Sequence, residues 1–217
     1  DYLGQTTVGD SRNIFPFMGQ SLYQIGREHN LGPHEMERAN KRLRDTWFLY
    51  PWQMIFIPGE LEVPGIIHQH RRLLFVDLST HRLFARFDDV LVTYPVGIGK
   101  EHTPTPIGEF TITHKRVDPA WRPPESVRQE QEALGNPLEK VVPPGPDNPL
   151  GTRGIYFNEP GYLIHGTNYP GGVGRSSSAG CVRMNNEDVE ALYEFVQSGD
   201  KLIIIEGVIH DEDLSKD

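Results

Sequence analysis

The sequence predicts a mainly β fold with one prominent helix, preceded by a small module of strand, two helices and strand. Three observations carry this. From Arg71 onward, runs rich in Val, Leu, Ile, Phe and Tyr alternate with short polar turns, as half-buried strands do. One long amphipathic stretch, Asn185 to Gly199, interrupts them late in the chain. Ahead of them, residues 10–60 hold short strand and helix patterns in close succession, and residues 66–207 form the larger second unit.

In the first unit, "NIFPF" (Asn13–Phe17) reads as a strand and "QSLYQIGREHN" (Gln20–Asn30) as a helix with Ser21 as its N-cap. "PHEMERANK" (Pro33–Lys41) reads as a second helix and "QMIFIP" (Gln53–Pro58) as a returning strand. Leu22, Ile25 and Gly26 share one helical face that Met36 and Ala39 can meet. "GELEVPG" (Gly59–Gly65) reads as a linker, with two glycines, a proline and two acids.

In the second unit, "RLLFVDLS", "RLFARF" and "VLVTYPVGIG" suggest an antiparallel meander, continued by "GEFTITHKR". Asn158-Glu159-Pro160-Gly161 is a turn sequence that pairs Gly154–Phe157 with Tyr162–His165. In "NNEDVEALYEFVQSG", acids fill the first turn, Gly199 is placed to stop the helix, and Val189, Leu192, Phe195 and Val196 fall on one face. "DKLIIIEG" then returns as a buried strand. Between Val117 and Arg153 lie eight prolines in a segment too long for an idle connection, which reads as a structured lid or binding wall, the alternative being a disordered insertion.

Composition narrows the function. Of 217 residues, 24% are charged and 37% apolar, a globular composition, and no stretch approaches the roughly 18 apolar residues of a membrane helix. The formal charge of −9 argues against an electrostatic hold on nucleic acid. One cysteine excludes an intramolecular disulfide, and the opening "DYLGQTTVGD" has neither the basic start nor the apolar core of a signal peptide. The chain is therefore expected either to be cytosolic or to have lost its signal. His68, His70 and His81 cluster in sequence with Asp77, but their flanking arginines make them a solvated surface rather than a metal site, and Gly97-Ile98-Gly99-Lys100 lacks P-loop spacing.

That single thiol, Cys181, follows Ser176, Ser177, Ser178, Ala179 and Gly180, a run no core strand would carry. A nucleophilic thiol needs a base and donors for the oxyanion it creates. His165, at the end of a predicted strand, is placed to take the proton, and a nearby carbonyl, that of Gly166, to fix its tautomer. Gly180 permits a tight turn before the nucleophile, so that N–H groups can converge there, and Arg183 offers a guanidinium suited to a carboxylate.

"IHGTN" (Ile164–Asn168) followed by "SSSAGCVRM" (Ser176–Met184) resembles the signature of YkuD-type L,D-transpeptidase domains, with "VGIGKEHTPTPIGEF", "PAWRPP" and "VPPGPDNPLG" extending the likeness over about Arg71 to Glu206. The resemblance implies a β-sandwich with Cys181 as nucleophile, His165 as base, the Gly166 carbonyl as orienting group and Arg183 holding a substrate carboxylate. Ser178, Gly180, Asn168, Tyr162 and Trp121 are the candidate substrate contacts, although Trp121 reads equally as core packing and Tyr162 as an ordinary strand residue. Many members carry a second histidine directly before the Gly-Cys pair; Ala179 stands there in this chain, removing any role for a nearby imidazole in tuning the thiol. The first unit resembles the LysM family through "GQSLYQIGREHNLGPHEMERAN" and "MIFIP", with Gly19-Gln20-Ser21-Leu22 in place of that family's usual "GDTL" opening. That likeness implies a βααβ module that docks on N-acetylglucosamine-containing glycan.

Together the resemblances imply a thioester enzyme of the cell envelope or periplasm, its signal peptide removed, acting on peptidoglycan tetrapeptide stems without metal or organic cofactor and open to acylation by carbapenems. The acceptor is either another stem, giving a 3→3 cross-link, or a lysine of an outer-membrane lipoprotein. The alternative is a wall-binding protein whose catalytic site has decayed or works as a carboxypeptidase. The first unit would raise the local concentration of stems, so removing residues 1–60 is expected to weaken wall binding and leave turnover of a short soluble stem unchanged.

Overall fold

The computed structural model describes residues 7–43 and 48–207. The described residues begin with β1 (Thr7–Val8) and β2 (Arg12–Ile14), followed by helices α1 (Leu22–Glu28) and α2 (Pro33–Ala39) and strand β3 (Ile55–Ile57), which pairs antiparallel with β2. Helix α1 starts where the sequence predicts. Ser21 Oγ accepts from Gln24 N at 3.2 Å while Gln24 Oε1 accepts from Ser21 N at 2.9 Å, a reciprocal cap. In α2, Pro33 takes the first position and Glu35 reaches back to the Gly32 N–H at 2.6 Å. Leu22, Ile25, Leu31, Met36, Leu49, Ile55 and Ile57 close a small core of their own.

The expected linker is built into the fold instead. Leu61–Glu62 forms β4, which pairs with β1, and Val63 is buried beside Ile67 of the short helix α3 (Ile66–Gln69). These residues are recruited because the sheet that follows is apolar on both faces, and one face needs a cover.

That sheet comes from β5 (Arg72–Asp77), β6 (Arg82–Phe87), β7 (Val90–Pro95), β9 (Gly108–Val117), β10 (Arg153–Phe157), β11 (Leu163–His165), β13 (Val182–Arg183) and β14 (Lys201–Ile205), in the order β13-β11-β10-β9-β14-β5-β6-β7. The intervening β8 (Ile98–Gly99) pairs with β12 (Ser176–Ser178) in a separate two-stranded ribbon. The meander β5-β6-β7 and the hairpin β10-β11 are antiparallel as expected, the hairpin pairing Gly154 with His165 and Tyr156 with Leu163. The whole is mixed, however, because β14 runs parallel to β5 and β13 parallel to β11.

Alternation along the strands divides the core. Leu74, Val76, Leu202, Ile204, Ile155, Ile164 and Val182 face α5 (Asn186–Phe195) with Val189, Leu192 and Val196, whereas Leu73, Phe75, Phe84 and Ile203 face Val63 and Ile67. Phe195 departs from the expected buried face: it is 37% exposed and stacks on Phe87 at 5.6 Å. Helix α5 also ends at Phe195, ahead of Gly199, which serves the next turn at φ +94°.

The proline-rich segment is ordered. It carries the exposed helix α4 (Glu125–Ala133), a two-way bridge between Trp121 and Val142, and the fully buried Asn148, whose amide donates to the carbonyls of Pro119, Val142 and Pro143. No helix among the described residues is long and apolar enough to cross a membrane.

Candidate active site

Cys181 lies in the turn between β12 and β13. Ser178 Oγ donates to the Cys181 carbonyl at 2.6 Å and accepts from Gly180 N at 3.1 Å, while the Ser178 carbonyl accepts from Lys100 N and Thr103 Oγ1. Ser178 is 2% exposed, so its hydroxyl braces the turn rather than facing the cleft. Gly180 sits at φ +105°, where a Cβ would come within 2.6 Å of Tyr162 Cε1, so both conformation and space require glycine. Its N–H is engaged by Ser178 Oγ.

The half-buried thiol donates to the Gly161 carbonyl at 3.7 Å. Burial pushes its pKa up, against the main-chain N–H of Leu163 and the Arg183 cation, which pull it down. His165 ends β11, the strand that β13 joins: Ile164 opposes Val182 and His165 opposes Arg183. Since Ile164 and Val182 turn into the core, the alternate residues Leu163, His165, Cys181 and Arg183 share the opposite face. His165 is 4% exposed and donates from Nδ1 to the Gly166 carbonyl at 2.6 Å, which leaves Nε2 as the bare acceptor. Burial, reinforced by Arg183, lowers its pKa to about 4, although the bond to Gly166 pulls the other way. At neutral pH the imidazole is uncharged and the thiol protonated.

Arg183 runs past Gly172, where an added Cβ would lie 2.9 Å from a guanidinium nitrogen and 2.7 Å from Ser177 Oγ. Burial lowers its pKa, its Nε is buried without a partner, and among the described residues it forms no ion pair. An unpaired, partly desolvated guanidinium beside a thiol has the chemistry to hold an anion such as a carboxylate.

The remaining candidates divide. Tyr162 packs against Gly180 and the main core, and Asn168 lies on the rim, donating to the Asp147 carbonyl at 3.1 Å and so tying the histidine loop to the proline-rich wall. Trp121 belongs to that wall, and among the described residues it makes no hydrogen bond or ring contact with Cys181, His165 or Arg183. Two residues escape the sequence reading. Asn186 accepts from Thr167 N at 3.0 Å and donates to Thr167 O at 3.0 Å, and its Oδ1 would stand 2.2 Å from a Cβ on Gly166, so it fixes the backbone that orients His165. The asparagine pair before α5 signals a helix start, and nothing local signals this second use. Tyr156 is the other: burial raises its pKa, against the nearby Arg116 cation and with a smaller push from Cys181, and its ring stacks on His114 at 4.3 Å.

Residues 71–204 match the YkuD family, the L,D-transpeptidase catalytic domain. The chain is 34% identical over 208 residues to a probable L,D-transpeptidase, YbiS of Escherichia coli K12, covering 94% of this chain and 66% of YbiS. It is 32% identical over 186 residues to a putative L,D-transpeptidase, YkuD of Bacillus licheniformis, covering 86% of this chain and 94% of that protein. Thus the chain spans just under two thirds of its Escherichia coli relative. In fold it is similar to the solved Ldtfm–avibactam carbamoyl enzyme, at a TM-score of 0.50 and 20% identity, over 64% of this chain and 50% of the other. The family match takes in the thiol, the carbonyl-bound histidine and the unpaired arginine: the chain belongs to the YkuD family of L,D-transpeptidases.

Proposed function

We propose that this protein is a cysteine L,D-transpeptidase of peptidoglycan, with Cys181 as nucleophile, His165 as base, the Gly166 carbonyl orienting that base and Arg183 holding a carboxylate of the donor stem. The observation that carries the reading is a buried, neutral His165 whose Nδ1 proton is committed to Gly166 and whose Nε2 has no hydrogen-bond partner among the described residues, on the strand beside a protonated thiol. A resting ion pair is disfavoured at both partners, so thiol deprotonation accompanies attack. The sulfur turns from the Gly161 carbonyl, adds to the carbonyl carbon of the donor's third residue and passes its proton to His165 Nε2. Among the described residues the Cys181 N–H, unlike that of Gly180, is uncommitted and is the donor at hand for the oxyanion.

Collapse breaks the peptide bond; the departing D-alanine amine takes the proton from His165, leaving a thioester. An acceptor amine then adds to the thioester carbon and gives a proton to His165, and the sulfur leaves with that proton to restore the thiol. A second stem as acceptor gives a 3→3 cross-link, a lipoprotein lysine ties the wall to the outer membrane, and water gives a carboxypeptidase product. The place of work is the cell envelope. Glycan binding belongs to residues 10–60, where Phe15, Phe17, Met18, Phe48 and Trp52 are each 65–80% exposed on the loops flanking α1 and β3, a surface suited to sugar faces.

The test is intact-mass spectrometry with a purified disaccharide-tetrapeptide, with and without acceptors. An adduct on Cys181 with release of D-alanine, lost in Cys181→Ala and His165→Ala variants of unchanged fold, is the expected result. No adduct, or turnover retained in either variant, refutes the assignment. A carbapenem adduct on the same thiol is a parallel expectation.

A further inference from the structure

The first unit is docked on the second, and its contacts converge on the segment that carries the nucleophile. Arg82 of β6 is 1% exposed, yet its guanidinium finds its partners largely in the first unit: Glu35 Oε1 at 2.8 Å and the Asn30 carbonyl, with Thr93 Oγ1 at 3.1 Å as its own unit's contribution. Asn30 in turn donates to the Thr93 carbonyl at 2.7 Å. From this anchor two arms extend. Glu37 of α2 holds Arg175 at 2.6 Å, six residues before Cys181, and Arg27 of α1 holds Asp188 at 2.8 Å, seven residues after it. Between the arms the backbones touch: a Cβ on Gly174 would lie 2.7 Å from Pro33 Cδ and 3.0 Å from Gly32 Cα.

Each arm leads to one partner of the reaction. Arg175 precedes β12, whose last residue, Ser178, shapes the turn of Cys181. Asp188 also receives the Asn185 amide at 2.9 Å, and these residues flank Asn186, which fixes Thr167 and the Gly166 carbonyl that orients His165. We propose that the first unit is a positioning element of the active site, its Glu37–Arg175 and Arg27–Asp188 contacts clamping the two ends of the Arg175–Asp188 segment so that thiol and imidazole hold their reactive geometry. This rests on the assignment of Cys181 and His165 above, and it reverses the expectation that removing residues 1–60 spares turnover.

The test is a charge-reversal cycle on the full chain: Glu37→Arg, Arg175→Glu and both together, with Arg27→Met as an independent break of the other arm. Two rates are read, turnover of a soluble tetrapeptide stem and alkylation of Cys181 by iodoacetamide from pH 6 to 10. The Arg175 side chain is 49% exposed and that of Glu37 21%, so loss of the pair alone barely moves stability and a merely structural role leaves both rates in place. The expected result is that each single reversal lowers kcat about tenfold with KM little changed and displaces the alkylation profile, that the double reversal restores both, and that Arg27→Met lowers kcat likewise. Singles that keep the wild-type kcat and alkylation profile, or a double as slow as the singles, overturn the proposal. If the wild-type protein turns over no stem, the transpeptidase reading fails on its own, and the alkylation profile still decides whether the clamp acts on the thiol.

Discussion

Replacing Glu35 by glutamine is the sharpest probe of how the two units are held. The single amide oxygen of a Glu35→Gln variant can still accept from Gly32 N and keep the start of α2, which turns its NH2 toward Arg82, so the substitution removes both the charge and the acceptor that face the guanidinium. The Arg82 side chain is 2% exposed and that of Glu35 14%, so the guanidinium cannot turn to water when its counter-charge goes. Breaking a buried pair from one side costs about 3–5 kcal/mol, because the remaining charge is stranded. The retained bonds to Asn30 and Thr93 place this case at the lower end, about 3 kcal/mol, which for a chain of this length corresponds to roughly 6–12 °C in Tm. Urea unfolding of both proteins at pH 7.5 is the assay. The double variant Glu35→Leu with Arg82→Met removes both charges and should recover most of the loss. A Glu35→Gln protein within about 0.5 kcal/mol of wild type, the range of an exposed pair, would refute the claim that this contact is desolvated and anchors the docking.

Further expectations concern the site. His165 has a folded pKa of about 4 against an ordinary 6.5, so the unfolded chain takes up the proton first; stability is whole above about pH 6.5 and falls as pH drops toward 4, by roughly 2 kcal/mol at pH 5. His81, expected on a solvated surface, instead packs against His34 and is held at about 4 by burial and by that ring, so it acts in the same window; urea unfolding of His165→Gln against wild type isolates the His165 share, and equal pH slopes would contradict it. Asn186→Ala loses both Thr167 bonds, costs roughly 2 kcal/mol at about 1 kcal/mol per bond, and should lower kcat by more than a surface change of equal stability cost, as paired unfolding and turnover measurements would reveal. Gly180→Ala forces a φ of +105° on a residue with a Cβ, strain of roughly 1–3 kcal/mol, beside the Tyr162 ring; turnover should fall sharply, and Tyr162→Ala should return part of it.

What the sequence discloses of this fold is what adjacent residues decide. The strand runs are legible because β-branched and aromatic residues recur between turns, and the β10–β11 register follows because Asn158-Glu159-Pro160-Gly161 leaves the hairpin one short closure. The proposed His165, Cys181 and Arg183 are legible because they stand in two short motifs, "IHGTN" and "SSSAGCVRM", that can be read without the fold. The parallel entry of β14 between β9 and β5 is not, since the partners of Lys201, Thr111 on one side and Leu73 on the other, lie far up the chain and meet it only in three dimensions. The linker reading fails for a related reason: glycine, proline and acids describe the local chain well, but Val63 is placed by the apolar underside of a sheet that its own sequence does not mention. Arg82 sits in "RLFARF" like any strand-edge charge until Glu35 is brought to it from another unit.

Docking also changes how a wall-binding module would act. A module on a flexible linker contributes effective concentration, and its benefit depends on linker length while leaving chemistry alone. Here β4 is paired to β1, Val63 is buried, and Arg82 is shared between the units, so the first unit is packed on the second rather than tethered to it. A glycan held at the exposed aromatic loops, as proposed, would therefore present stems at set positions along its length rather than over a volume, and lengthening the chain at Gly59–Gly65 would disrupt packing instead of widening reach. Inserting a Gly-Ser spacer there separates the two accounts: on a tether, activity on polymeric wall changes with spacer length and activity on a soluble stem does not, whereas in the docked arrangement a spacer long enough to break the β1–β4 pairing lowers both together.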